Sequence, residues 1–422
     1  MMKHRKTRLL AFLLTVPMLL TGCNSAPTTS SVAETEPVTE ATTEPPTTEP
    51  PTTEPPTEAP VVLDRSMTLE EKIYQMFIVT PEALTGVSKV QSAGDSTKAA
   101  LDERHVGGLI YFGDNLRSFG QTQDMLENTQ DFALSDGGIG VFLAVDEEGG
   151  TIARCGEKLG TSQLEPMEVI GGRNNPQEAM EVGQTLGRTL SVLGFNLDFA
   201  PVADVNLNAN NELGDRIFSS NPEVVGNMVE NVVKGIQEQE KVAATLKHFP
   251  GLGAGDGNTH EDGTVIINRT LDQMREAEFV PFQRGIDAGA DFVMITHAQV
   301  SGVGDGLPAS LSPTVCTELL REELGFEGIV VTDSMQMGNI TANYDAGEAA
   351  VLAIEAGADI ILMPENLSEA VAGVQEAVES GRISENRINK SVKRILDEKK
   401  KLGIYERIEE ETEEEEPTDG AE

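Results

Sequence analysis

Residues 246–265 read LKHFPGLGAGDGNTHEDGTV, with a lysine, two histidines, three acidic side chains and five glycines in one stretch. The segment is too polar for a core strand and too rich in glycine for a helix. Its residue types suit a surface turn, a phosphate cradle, a metal site or a catalytic loop. The cradle is poorly supported, because no helix signature follows "GLGAGDG". A metal hydrolase would draw on His248, His260, His297 and Asp333. The chain holds only five histidines and has neither an HExxH motif nor a His-x-His pair, so no metal or other cofactor is expected.

These side chains need a frame. Eight short apolar runs follow Val61, and helical segments separate them. They are MFIVT, VGGLIYFG, GVFLAVD, FNLDFAPVAD, VAATLKH, DFVMITH, GIVVTD and ADIILMP. Continuous apolar strands alternating with helices imply a parallel sheet buried on both faces. Eight such units in about 340 residues suggest an α/β fold, a (β/α)8 TIM-type barrel. A doubly wound open sheet is the alternative. Helix starts are marked by Thr68 with Glu71, a capping box, and by Asn or Ser before Pro in NNPQEAM, SNPEVVG and LSPTVCTELL.

Active sites of such barrels form at the carboxyl ends of the strands. Read there, the runs end in Asp146 and Glu148, Asp204, Lys247 and His248, His297, and Asp333. One strand ending in Asp is ordinary helix capping. Several ionisable groups around one mouth cost free energy unless they pair or bind something. The pattern points to an enzyme without naming its reaction.

The motifs KHFPG with a histidine twelve residues after His248, and GFEGIVVTDSMQM, resemble glycoside hydrolase family 3. VDEEGGTIAR, GFNLDFAPVADVN, GDRIFSSNPE and AGADIILMP fit it in order, across about residues 65–405. The most similar branch is the single-domain β-N-acetylhexosaminidases acting on peptidoglycan fragments. The resemblance implies a (β/α)8 barrel and a retaining, exo-acting hydrolase of terminal β-N-acetylglucosamine. Asp333 then matches the nucleophile, with helix capping as its alternative role. His260 matches the acid/base; an ordinary imidazole titrates in the range such work requires. Asp146, Arg154, Arg216, Lys247 and His248 match sugar-binding positions. Glu148 reads equally as the partner of a nearby arginine, and His297 and Asp204 as lining or bracing the pocket.

One position departs from the branch, which pairs Asp with the histidine in an Asp-Ser-His triplet. Here the triplet is Asn258-Thr259-His260. Asparagine carries no charge to stabilise imidazolium, although its amide oxygen accepts a hydrogen bond and can hold one tautomer. Asp256, Glu261 and Asp262 are the nearby candidates for the missing charge. The change leaves room for a surface-tethered sugar-binding lipoprotein with impaired catalysis. Phosphorolysis is a further variant of the same chemistry.

The ends of the chain carry other signals. A basic start, an apolar run and Leu20-Thr21-Gly22-Cys23 resemble a bacterial lipobox. Residues 1–22 are thus expected to be a signal peptide, with Cys23 lipidated and the protein held on the outer face of the cytoplasmic membrane. Residues 23–60 form a Thr/Glu/Pro linker in which TTEPP occurs three times. At roughly 3.1 Å per residue such a stalk reaches on the order of 100 Å. Residues 61–405 form the catalytic domain, and residues 406–422 an acidic, disordered tail. The net charge of −39 argues against nucleic-acid binding. Beyond Cys23 only Cys155 and Cys316 remain, too few for a disulfide framework. The expected partners are a glycan and, through the lipid, the membrane; the protein is expected to be a monomer.

Overall fold

Each of the eight apolar runs becomes one strand. They are β1 (Phe77–Val79), β2 (Gly108–Ile110), β3 (Phe142–Val145), β4 (Leu197–Asp198), β5 (Ala243–Phe249), β6 (Phe292–Ile295), β7 (Ile329–Thr332) and β8 (Ile361–Leu362). All are buried along their whole length, as the absence of polar alternation requires. The computed structural model describes residues 59–406 except 136, 162, 239–240 and 260–262. The expectations for the signal peptide, Cys23, most of the linker, His260 and the acidic tail fall outside the described residues.

Every neighbouring pair of strands is parallel, and the spatial order from β7 down to β1 is sequential, with β8 beside β1. The two ends of that order meet. Val331 of β7 bridges Ile360 in parallel, and the Thr332 amide donates to the Ile360 carbonyl at 3.1 Å. The sheet closes on itself, which rules out the open doubly wound alternative.

Local chemistry sets the helices as expected. Thr68 and Glu71 form both arms of a capping box on Leu69–Gln75. Asn175 and Asn221 cap Pro176–Leu193 and Pro222–Gln237, each with proline at the first helical position. The segment after Ser312-Pro313 differs: Thr314–Glu323 winds as a π-helix, although the Ser312 hydroxyl still accepts from the Val315 amide at 3.2 Å.

The amino ends of the strands are sealed by the last helix, Glu385–Lys401. Asp359, fully buried just before β8, accepts from Arg394 at 3.1 Å and from Ser391 at 2.5 Å, and also pairs with Arg321. Lys399 is buried beside them. Its ammonium donates to Gln75 at 2.7 Å and lies 5.1 Å from the Phe142 ring centre. Burial holds its pKa well below the ordinary lysine value. Polar groups therefore gather at both ends of the barrel, and apolar strands fill the space between.

Candidate active site

At the carboxyl ends of the strands a cavity of about 390 Å³ opens. Asp146, Glu148, Arg154, Arg216, Lys247, His248 and Asp333 all line it, so seven of the residues singled out in the sequence converge. They come from three different strand ends plus the short helices Arg154–Leu159 and Gly214–Arg216. Asn258 is half-buried in the loop after β5, outside the cavity wall, while its neighbour Thr259 lines the cavity.

A line of alternating charge crosses the floor of the cavity. The Lys247 ammonium lies 2.8 Å from Asp146 and 2.7 Å from Glu148. Arg216 donates to both oxygens of Glu148 at 2.8 Å, in a fork-to-fork pair. Lys247 and Glu148 are almost wholly buried. Burial alone would raise the Glu148 carboxyl, but Lys247 and Arg216 overcome it and hold the pKa at about 2. Burial likewise pulls Lys247 down, yet Asp146 and Glu148 leave its pKa above the ordinary value. Both groups are therefore charged. Glu148 is the arginine partner the sequence suggested, and it ties down the lysine as well.

His248 and His297 are braced differently. The His248 amide and Nδ1 both donate to Asp204, at 2.9 and 2.8 Å; a carboxylate only accepts, so Nδ1 carries the proton. The second Asp204 oxygen takes the Leu252 amide at 2.5 Å and the Gly253 amide at 3.3 Å. Asp204 thus braces the loop after β5 and does not line the cavity. His297 Nε2 donates to the Ser334 carbonyl at 2.9 Å, and its Nδ1 meets the Ser310 hydroxyl at 2.7 Å. It holds the residue that follows Asp333.

Asp333 sits at the end of β7, with its amide donating to Ile295 at 2.9 Å. One carboxylate oxygen accepts from the Ser334 amide at 2.7 Å. No helix starts there: the next one, Gly338–Thr341, has no side-chain cap. The helix-capping role therefore fails for this residue. Burial pushes its carboxyl up, but the His248 and His297 imidazoles, the Ser334 amide and Lys247 prevail, and its pKa lies below the usual value. Near neutral pH it is an ionised carboxylate at the wall of a cavity.

Three carboxylates were not legible as site residues. Glu147, buried between Asp146 and Glu148, accepts from the Cys155 and Gly156 amides at 2.7 and 3.0 Å and so anchors the helix that carries Arg154. Burial raises its pKa. Asp198 accepts the Glu147 amide at 3.1 Å; buried beside that carboxyl, it is pushed well above its ordinary value. Glu212 lines the cavity and accepts from Thr259. DEEGG carried a partial signal, since three successive carboxylates cannot all face one cavity. Glu212 lies in an aperiodic loop and gave none.

Among the described residues, no cluster of three or more His, Cys, Asp or Glu has the geometry of a metal site. Cys155 and Cys316 are free and buried. No described helix is long and apolar enough to cross a membrane.

The closed parallel eight-stranded barrel carries an ionised strand-end carboxylate beside a lysine–arginine–carboxylate cluster, at the end where barrels of this class build their active sites. The Glycosyl hydrolase family 3 N terminal domain matches residues 68–397, and the chain belongs to glycosyl hydrolase family 3 and with it to the glycoside hydrolases. A beta-hexosaminidase of Stenotrophomonas maltophilia (strain R551-3) is 37% identical over 286 residues, covering 65% of this chain and 82% of the relative. Beta-hexosaminidase A of Pseudoalteromonas piscicida is 32% identical over 327 residues, or 70% of this chain; the chain spans 54% of that relative's length. Among solved structures, a glycoside hydrolase family 3 beta-N-acetylglucosaminidase from Paenibacillus sp. str. FPU-7 superimposes with a TM-score of 0.76. It shares 33% sequence identity and aligns over 82% of this chain and 65% of its own.

Proposed function

We propose that the protein is a retaining, exo-acting β-N-acetylhexosaminidase that removes terminal β-N-acetylglucosamine from peptidoglycan-type glycans. The observation that carries this reading is Asp333: an ionised carboxylate at a cavity wall, braced through Ser334 and flanked by His248 and Lys247. The names of the relatives support the same substrate class. Asp333 attacks the anomeric carbon while the glycosidic C–O bond breaks, and His260 gives its proton to the departing oxygen. Neutral His260 then takes a proton from water, whose oxygen displaces Asp333 with a second inversion, so configuration is retained. Asp146, Lys247 and Arg216, with Glu148 fixing the two cations, are suited to hold sugar hydroxyls. Arg154 presents a further guanidinium. Lipidation at Cys23, inferred from Leu20–Cys23, would keep the enzyme outside the cell, where wall fragments are found.

The test is hydrolysis of a chromogenic β-N-acetylglucosaminide, with product configuration followed by NMR. Release of the β-anomer by the wild type, and loss of about 10⁴-fold or more in Asp333→Ala, is the expected result. An inverted product, or equal rates for the variant, would refute the assignment. Accumulation of a sugar 1-phosphate only when phosphate is added would redirect it to phosphorolysis.

A further inference from the structure

We propose that Glu212 is a positioning residue that fixes the approach of His260 to the cavity; the inference rests on the reading of His260 as the acid/base. The loop after β5 is rich in glycine, yet Thr259 near its end is almost wholly buried, with 1% of its surface exposed. Its amide and its hydroxyl both donate to one oxygen of Glu212, at 3.0 and 2.7 Å. Thr259 is covalently joined to His260. Fixing the backbone and the χ1 angle of residue 259 therefore limits where the following residue can begin.

The tie is the last of a series between the loops after β4 and β5. The Leu207 and Asn208 amides both donate to the Gly253 carbonyl at 3.1 Å, and the Asn208 side chain donates to Gly255 at 2.9 Å. Gly253 lies so close to the Val205 carbonyl that a Cβ would collide with it. On the β4 side, Asn211 prepares Glu212. Its side-chain oxygen accepts from the Leu213 and Gly214 amides at 2.9 and 3.1 Å, and its amide nitrogen donates to Asn206 at 3.0 Å. Beyond Gly255 the loop runs through exposed Asp256 and Gly257, and Glu212 regains it at Thr259. The loop after β4 thus acts as a jig for the loop after β5.

The role predicts a selective defect. A misplaced acid hinders departure of basic leaving groups but not of acidic ones, which leave unprotonated. Glu212→Ala, in the full chain, should lower kcat/KM for the methyl β-N-acetylglucosaminide by about 10²-fold and for the 2,4-dinitrophenyl glycoside by less than about 3-fold. Glu212→Gln should keep most activity on both, because its amide oxygen accepts the same two bonds. Hydrogen exchange of the 252–259 segment provides a readout independent of turnover: protection should fall in Glu212→Ala and persist in Glu212→Gln. Equal losses on both glycosides, no loss on either, or unchanged exchange would overturn the proposal. A wild type inactive on both glycosides, with exchange altered as expected, would instead sink the acid/base reading and remove the catalytic meaning of the tie.

Discussion

Removing one buried charge, with the substitution Glu148→Gln, should have a stability cost that depends on pH. Glu148 receives a two-pronged bond from Arg216 at 2.8 Å and the Lys247 ammonium at 2.7 Å, in a site with almost no solvent access. Its carboxyl is held at about 2, against a usual value of 4.5. That gap corresponds to roughly 3 kcal/mol of stability near neutral pH. Glutamine keeps the shape but removes the carboxylate that Arg216 and Lys247 share, with Asp146 the main anion left to both, which agrees with the ~3–5 kcal/mol typical of breaking a buried pair. The folded pKa is depressed, so the contribution is fully present above about 4.5 and is lost as pH falls towards 2. Urea denaturation at pH 7 should show Glu148→Gln less stable by about 3 kcal/mol, and at pH 3 the difference should shrink to roughly half. A difference below about 0.5 kcal/mol at pH 7, or one that persists undiminished at pH 3, would refute the reasoning.

Asn258→Asp should place a charge beside the histidine and move the alkaline limb of the kcat/KM profile up by about one pH unit; unchanged turnover and an unchanged profile would show that residue 258 does not orient His260. Cys155 and Cys316 are buried, and burial raises both thiols, Cys316 to about 12. Ellman's reagent should modify them only after denaturant is added, and rapid reaction of either in the folded protein would contradict their placement.

The barrel was legible because its strands are buried on both sides and so announce themselves as unbroken apolar runs; FIV, FLAV, FVMI and IVVT need no partner in the sequence to be recognised. Asp333, Lys247, His248 and Asp146 were legible for a related reason, since each is an ionisable group at the carboxyl end of such a run. Roles were harder to read than positions. Asp204 and His297 also end runs, and only the hydrogen-bond directions identify them as braces rather than cavity walls. Glu212 was invisible because its partner Thr259 lies far along the chain in another loop, and neither loop has a periodicity to place it. The π-wound segment after Pro313 carries an apolar spacing that reads as any helix, and the winding depends on packing.

The closure of the ring also bears on how the protein is made. Phe77 on the first strand pairs with Ile361 on the last, so β1 keeps an open edge until nearly the whole barrel has been synthesised. At ribosomal rates of about 5–20 residues per second, that edge waits on the order of 15–60 s for its partner. An unpaired, wholly apolar strand is a template for the wrong neighbour during that interval. Chains cut short before β8 should thus be a burden to the cell rather than a reservoir of partial enzyme. Any factor that holds the nascent chain must cover residues 77–79 for longer than any other edge in the molecule.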